Sequence, residues 1–219
     1  MALRAKKGEI PENSFVFTKS EAIKYQWQQI AEWTPRREVW PFIQGIGFLG
    51  GAAALSGMYI NFKIRKAMKM PDFGKVASTL TSSLCPGVMV CVMQIKYVTE
   101  KLFLPNDSCP ICIELRSVVV QNANAIAYPL ILSSITNFML SIRGQTHRIP
   151  HYKSVRELSR FCGYLVKPVL PSLAVIGLAN TLAASFIVYK QFNCLSHMRQ
   201  ILSLENESDE NERIGNNFF

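Results

Sequence analysis

The chain has 219 residues and a net charge of +9, yet only 18% of its residues are charged and 49% are hydrophobic. Soluble domains average about 25% charged residues, so an ordinary water-soluble domain is a poor match. The basic residues lie in segments that connect apolar runs, where membrane topology places them, and this sets nucleic acid aside as a partner.

Residues 1–17 begin with basic residues and are then interrupted by Glu9, Pro11 and Glu12. No apolar stretch follows the basic residues, so a secretory signal is not expected. The acidic residues arrive too early for a mitochondrial presequence, and import would rely on internal signals. Next, Thr18 and Glu21 have the spacing of a helix capping box. Ile23, Trp27 and Ile30 then fall on one helical face, and Pro35 closes the segment. This predicts an amphipathic helix within an N-terminal segment, 1–38, that either lies on a membrane surface or packs on a partner.

Three apolar runs follow, within 40–60, 117–142 and 163–189, with Lys167 as their single charge. A bilayer core about 30 Å thick needs about 20 such residues of helix. A fourth span is expected over about 75–97, where the stretch between Lys75 and Lys96 is uncharged. Pro86 and Gly87 in its middle predict a kink, which lipid tolerates only where neighbouring helices satisfy the freed backbone groups. The alternative is three spans plus a re-entrant hairpin. The expected fold is therefore an all-α membrane protein, a small bundle of about four transmembrane helices (about 40–60, 75–97, 117–142 and 164–189) behind an N-terminal amphipathic helix. A polar acidic tail is expected over 191–219, disordered from 203 onward apart from its terminal aromatics.

Topology follows from the loops. The first carries Lys63, Arg65, Lys66 and Lys69, and the third carries Arg143, Arg148, Lys153, Arg156 and Arg160. Both are expected on the negative side of the membrane and are candidate contacts for partners or anionic lipid. The middle loop, with near-balanced charge, and both termini then share the opposite side.

The stretch Gly45–Ile46–Gly47–Phe48–Leu49–Gly50 matches a dinucleotide fingerprint letter for letter. It lies inside an apolar run, not between a strand and a helix, so a helix-packing role is expected instead. Gly47 and Gly51 form the G-x-x-x-G pair, and Ala53 with Gly57 continues a small-residue face. Gln121, Asn122, Asn124 and Asn137 sit in the third span and should face other helices or a cavity, because exposing an amide to lipid is costly. No central carboxylate, arginine or histidine is expected in the spans, and the chain lacks two similar halves, which weighs against a carrier. His147, His151 and His197 read as loop histidines. No nucleophile–base pair, paired carboxylates or phosphate loop stands out, so no enzymatic activity, catalytic residue, metal or cofactor is expected.

Cys109 and Cys112 form a C-x-x-C pair in the middle loop. The other four cysteines lie at unsuitable intervals to complete a zinc site. A thioredoxin-like role calls for a soluble α/β domain with the first cysteine at a helix N-terminus. A structural disulfide, or a reduced pair in a tight turn, remains.

The segment from about residue 40 to about residue 198 resembles the transmembrane protein 126 family of mitochondrial inner-membrane proteins. The resemblance rests on the basic segment 62–69 after the first span, Cys109 and Cys112 followed by Arg116, Tyr128–Pro129, and Lys167–Pro168 before the last span. The longer N-terminal segment and the acidic tail depart from it. The resemblance implies a non-enzymatic assembly factor for respiratory complex I. Its expected partners are membrane-arm subunits, the other factors of the mitochondrial complex I intermediate assembly complex, and anionic lipid such as cardiolipin. It also implies an inner-membrane location with the first and third loops in the matrix. The Cys109–Cys112 loop and the termini would then face the intermembrane space, where a disulfide clip is chemically sensible.

Overall fold

The structure is a computed structural model that describes residues 18–68, 74–103, 109–143, 163 and 169–216, without the side chains of 142, 143 and 205–216. Among these residues all regular structure is helical. Helix α1 (Lys19–Glu32) starts as its sequence predicts. The Glu21 carboxylate accepts the Thr18 N–H at 2.8 Å and the Thr18 hydroxyl at 2.7 Å. These bonds hold the Glu21 carboxyl below the usual carboxylate range. The helix stops ahead of Pro35, whose ring disfavours α conformation in the residue before it.

Among the described residues, four helices are long and apolar enough to cross a membrane. The first is α2 (Trp40–Ala67), with Pro41 in its first turn, where a missing N–H costs nothing. The second is continuous through α3 (Lys75–Met93), a π-helical turn (Gln94–Thr99) and α4 (Glu100–Phe103). The third runs from α5 (Pro110–Asn122) through a second π-helical turn (Ala123–Ala127) into α6 (Tyr128–Arg143). The last is α7 (Leu170–Asn216). The 75–97 segment thus lies within one continuous helix long and apolar enough to span, with no hairpin turn inside it.

The helices alternate in direction, and three apolar clusters stack along the bundle. At one end Ile30, Phe42, Phe103, Ile113, Leu195 and Met198 meet, joining α1 to the start of α2, the end of α4, the start of α5 and the middle of α7. Leu49, Ala53, Val90, Ala125, Ala184 and Ile187 fill the middle. Ile60, Ile64, Met68, Val169 and Leu173 close the far end. Helix α1, residues 109–112 and the continuation of α7 beyond residue 190 therefore share one side of the bundle, and residues 62–68 lie on the other.

Two elements add to what the sequence predicts. Helix α1 rests on the bundle's own end, with Ile30 in that first cluster and Ile23 and Trp27 packed against it. Beyond residue 190, α7 continues unbroken to Asn216, into the segment expected as a polar acidic tail. Leu195 and Met198, three apart on one helical face, anchor its first turns to α1 and α5.

Candidate functional site

The polar side chains of the spans turn inward and find one another. Nearest the far end, the Arg65 guanidinium donates from Nη1 to Ser78 Oγ at 3.1 Å and to Asn137 Oδ1 at 3.2 Å. Asn137 Nδ2 donates to Asn61 Oδ1 at 2.8 Å, and Asn61 Nδ2 donates to Thr79 Oγ1 at 3.1 Å. This network ties α2, α3 and α6 together. Arg65, Asn61, Ser78 and Asn137 are all buried.

Sequence reasoning assigned Arg65 to a solvent-facing basic loop, and the structure corrects this. Helix α2 runs past its apolar run to Ala67. Arg65 lies one turn beyond Asn61 and so falls on the same inward face. Lys63 is half-buried with its Nζ 5.3 Å from the Tyr59 ring centroid, and Lys66 is exposed. Arg143 ends α6, with its side chain outside the described atoms; Lys69, Arg148, Lys153, Arg156 and Arg160 lie outside the described residues, as do His147 and His151.

At mid-bundle, Gln121 Nε2 donates to Asn180 Oδ1 at 2.8 Å and to the Leu49 carbonyl at 3.1 Å. Asn180 Nδ2 donates to Ser56 Oγ at 3.1 Å, so α5, α7 and α2 share one hydrogen-bonded chain. Asn122 Nδ2 donates to Thr181 Oγ1 at 2.8 Å. Asn124, in the second π-helical turn, donates to the Val120 carbonyl at 2.8 Å and to Met93 Sδ at 3.3 Å. Toward the α1 end, Gln94 Nε2 donates to Ser117 Oγ at 2.5 Å and Gln191 Nε2 to the Pro41 carbonyl at 3.0 Å. Of these partners, Asn61, Gln94, Asn180 and Gln191 were missed from sequence. The signal was available: each is an amide within or beside an apolar run, the criterion that singled out Gln121.

Small residues make these contacts geometrically possible, but not the pair read from sequence. Gly47 and Gly51 face outward, and a Cβ on either would meet nothing within 4 Å. Ala53 and Gly57, the continuation of the expected face one register along, do turn inward, and Gly50 joins them. A Cβ on Gly50 would come 3.0 Å from the Gly87 carbonyl oxygen, and a Cβ on Gly87 would come 3.0 Å from that of Gly50. A Cβ on Gly57 would run into the Ser82 carbonyl oxygen and reach 3.2 Å from Pro86 Cγ. Pro86 has no N–H to offer the carbonyl four residues earlier, which is that of Ser82. Gly57 lies against this freed oxygen, so the kink predicted at Pro86 and the glycine of α2 belong to one joint.

Cys109 and Cys112 are free thiols, exposed, at the start of α5. The expected disulfide is not formed in this structure. Cys109 is the N-cap residue, and its carbonyl accepts the Cys112 N–H at 3.0 Å. The backbone N–H groups of Cys112 and Ile111 hold the Cys109 thiol below its ordinary value. No group of three or more His, Cys, Asp or Glu side chains that could hold a metal ion occurs among the described residues.

The profile of the family described as Transmembrane protein 126 matches residues 20–205. A protein of Drosophila melanogaster named "Transmembrane protein 126" is 30% identical over 208 residues, covering 92% of this chain and 93% of that protein. No solved structure matches.

Proposed function

The chain belongs to the Transmembrane protein 126 family, and on that premise we propose that it is an assembly factor of the mitochondrial inner membrane, serving respiratory complex I. It would work by contact, without turning over a small substrate. It would anchor soluble assembly factors and hold membrane-arm intermediates while their helices are added. The observation that carries this reading, beside family membership, is how the interior amides are used. Gln121 with Asn180 and Asn137 with Asn61 bond to each other across helices. Such bonds hold a bundle in one shape, and a scaffold needs a fixed shape.

The outer surface is then what a partner meets. Ile43, Leu55, Phe62, Leu80, Leu178 and Leu182 are exposed and apolar, and Gly47 and Gly51 leave a shallow strip where another helix can come close. On this reading the first and third loops face the matrix, where their positive charge suits soluble factors and anionic lipid such as cardiolipin. The termini and the Cys109–Cys112 segment face the intermembrane space. The test is affinity purification of the tagged protein from digitonin extracts. Recovery of membrane-arm subunits together with other assembly factors supports the proposal. Recovery of the protein alone from cells with active complex I synthesis contradicts it.

One observation favours a second reading, a small-molecule carrier or channel built on the amide-rich third span. Gln94 Oε1, Gln121 Oε1 and Asn122 Oδ1 are buried acceptors with no donor, which a passenger rich in N–H or O–H groups could supply. Asn122→Leu and Asn124→Leu separate the two readings. They stop flux in reconstituted liposomes if the protein is a carrier, and only weaken its complexes if it is a scaffold.

A further inference from the structure

The Cys109-Pro110-Ile111-Cys112 segment has no part in the contacts described above, and its geometry is that of reactive thiols more than of a staple. As a clip it would close a loop of a few residues, which removes little freedom from the unfolded chain. As a reactive pair it is well placed. Cys109 stands at the N-cap and Cys112 in the first turn, joined by the Cys112 N–H bond to the Cys109 carbonyl at 3.0 Å. A disulfide needs Cβ atoms about 3.5–4.5 Å apart, so closing the pair calls for a shift of this exposed first turn. Cys109 caps a helix of 13 residues, where N–H groups and the helix dipole favour a thiolate. The pair is also in water. Pro110–Ser141 of the third membrane-crossing helix is 32 residues, or about 48 Å, against a hydrocarbon core of about 30 Å. Glu114 and Arg116 are exposed on its second turn and mark where hydrocarbon cannot yet have begun. Beside the sulfurs, Ile111 is 72% exposed and offers an apolar contact for an incoming chain.

We propose that Cys109 and Cys112 form a thiol–disulfide exchange site, whose substrates are disulfides and dithiols of proteins on the side of the membrane shared by α1 and the extension of α7. In the exchange, the Cys109 thiolate attacks one sulfur of a partner disulfide. That S–S bond breaks, the partner's other sulfur leaves as a thiolate, and Cys109 is joined to the partner. The Cys112 thiol gives its proton to the released thiolate and attacks the Cys109 sulfur. The Cys109–Cys112 disulfide forms, and the partner's second sulfur leaves and takes a proton from water. The partner gains two electrons and the pair loses two. In reverse, the oxidised pair hands its disulfide to a partner dithiol, with Cys109 as the leaving thiolate stabilised by the N–H groups of Cys112 and Ile111. The helix N-terminus that was expected only of a soluble α/β oxidoreductase is thus present on a membrane helix. This inference stands independently of the assembly reading.

The test uses the purified full-length protein in detergent, equilibrated in glutathione and glutathione disulfide at graded ratios. Thiols are then trapped with a mass-tagged maleimide and assigned by peptide mass spectrometry, which separates this pair from the half-buried Cys85, Cys91 and Cys194. The expected result is a single dithiol–disulfide transition of the pair within the buffer series. Cys112→Ser accumulates glutathione on Cys109, while Cys109→Ser carries several-fold less on Cys112. At neutral pH iodoacetamide modifies Cys109 several-fold faster than Cys112. Two results overturn the proposal: a pair that stays disulfide-bonded at every ratio, which is a structural clip, or a pair that stays reduced with both cysteines alkylated at equal rates. Both positions are exposed, so serine at either leaves the fold in place.

Discussion

The seam between α2 and α3 and the cluster that holds α1 are built from opposite materials. In the seam, backbone meets backbone through Gly50, Gly57 and Gly87, with amide and hydroxyl bonds alongside. In the cluster, large rings meet. Phe42 lies 5.6 Å from Phe103 and 6.5 Å from Trp27, centroid to centroid, and Trp27 lies 5.2 Å from Phe103. The contrast follows from the solvent. Lipid tails are as apolar as leucine, so helices within the bilayer gain from close approach and hydrogen bonds. At the membrane's edge water is available, and burying aromatic surface again provides the drive. The same chain uses both solutions within one helix, since Phe42 and Gly57 both lie on α2.

Four experiments press on this contrast, from the largest expected effect to the smallest. Phe42→Ala should cost the cluster about 3–5 kcal/mol, read as a lower unfolding midpoint in detergent with early release of α1. If stability is unchanged, aromatic burial does not hold that end. Gly57→Leu should destabilise by about 1–3 kcal/mol or more, because its Cβ meets a carbonyl oxygen that cannot move without unwinding α3. Gly47→Leu, on the same helix, should change the midpoint little. Equal effects at the two positions would mean that the seam is wrongly placed.

A double-mutant cycle on Gln121→Leu and Asn180→Leu should return a coupling of about 0.6 kcal/mol and no more than about 1.7 kcal/mol. Zero coupling would remove the mid-bundle hydrogen bond from the account. The smallest effect concerns Glu21. Its folded carboxyl is held below the usual range by the Thr18 N–H and hydroxyl. A depressed folded pKa adds stability above the unfolded value, and that stability is lost as pH falls through the folded one. Hydrogen-exchange protection of the α1 amides, taken against the intrinsic exchange rate at each pH, should therefore fall on acidification through the carboxylate range, and Glu21→Gln should flatten that dependence. An unchanged profile in Glu21→Gln would show that the capping box does not govern α1.

The same contrast explains what could be read from the sequence. The spans were legible because lipid demands unbroken apolar runs, and the start of α1 was legible because a capping box is local. Which face of α2 turned inward was legible only in part: Ala53 and Gly57 turn inward as read, and Gly47 and Gly51 do not. Both Gly47–Gly51 and Gly50–Gly57 lie along helical stripes, and the choice between them is made by Pro86 on a different helix. Arg65 was misplaced for a related reason: its neighbours in sequence are basic, but its neighbour in space, one turn back, is Asn61. The continuation of α7 was hidden by an acidic composition, while its Leu195 and Met198 already carried helical spacing. The Cys109–Cys112 pair was visible as a motif, and only the helix that begins at it gave its chemistry a direction.

The central claim is that this bundle assists the assembly of a larger membrane complex. The most direct measurement is a native complexome profile of digitonin-solubilised mitochondria with and without the protein. The account predicts that the protein migrates with membrane-arm intermediates of complex I and is missing from the mature complex, and that its loss stalls those intermediates. A protein that runs alone at its own size, while complex I forms normally without it, would contradict the claim.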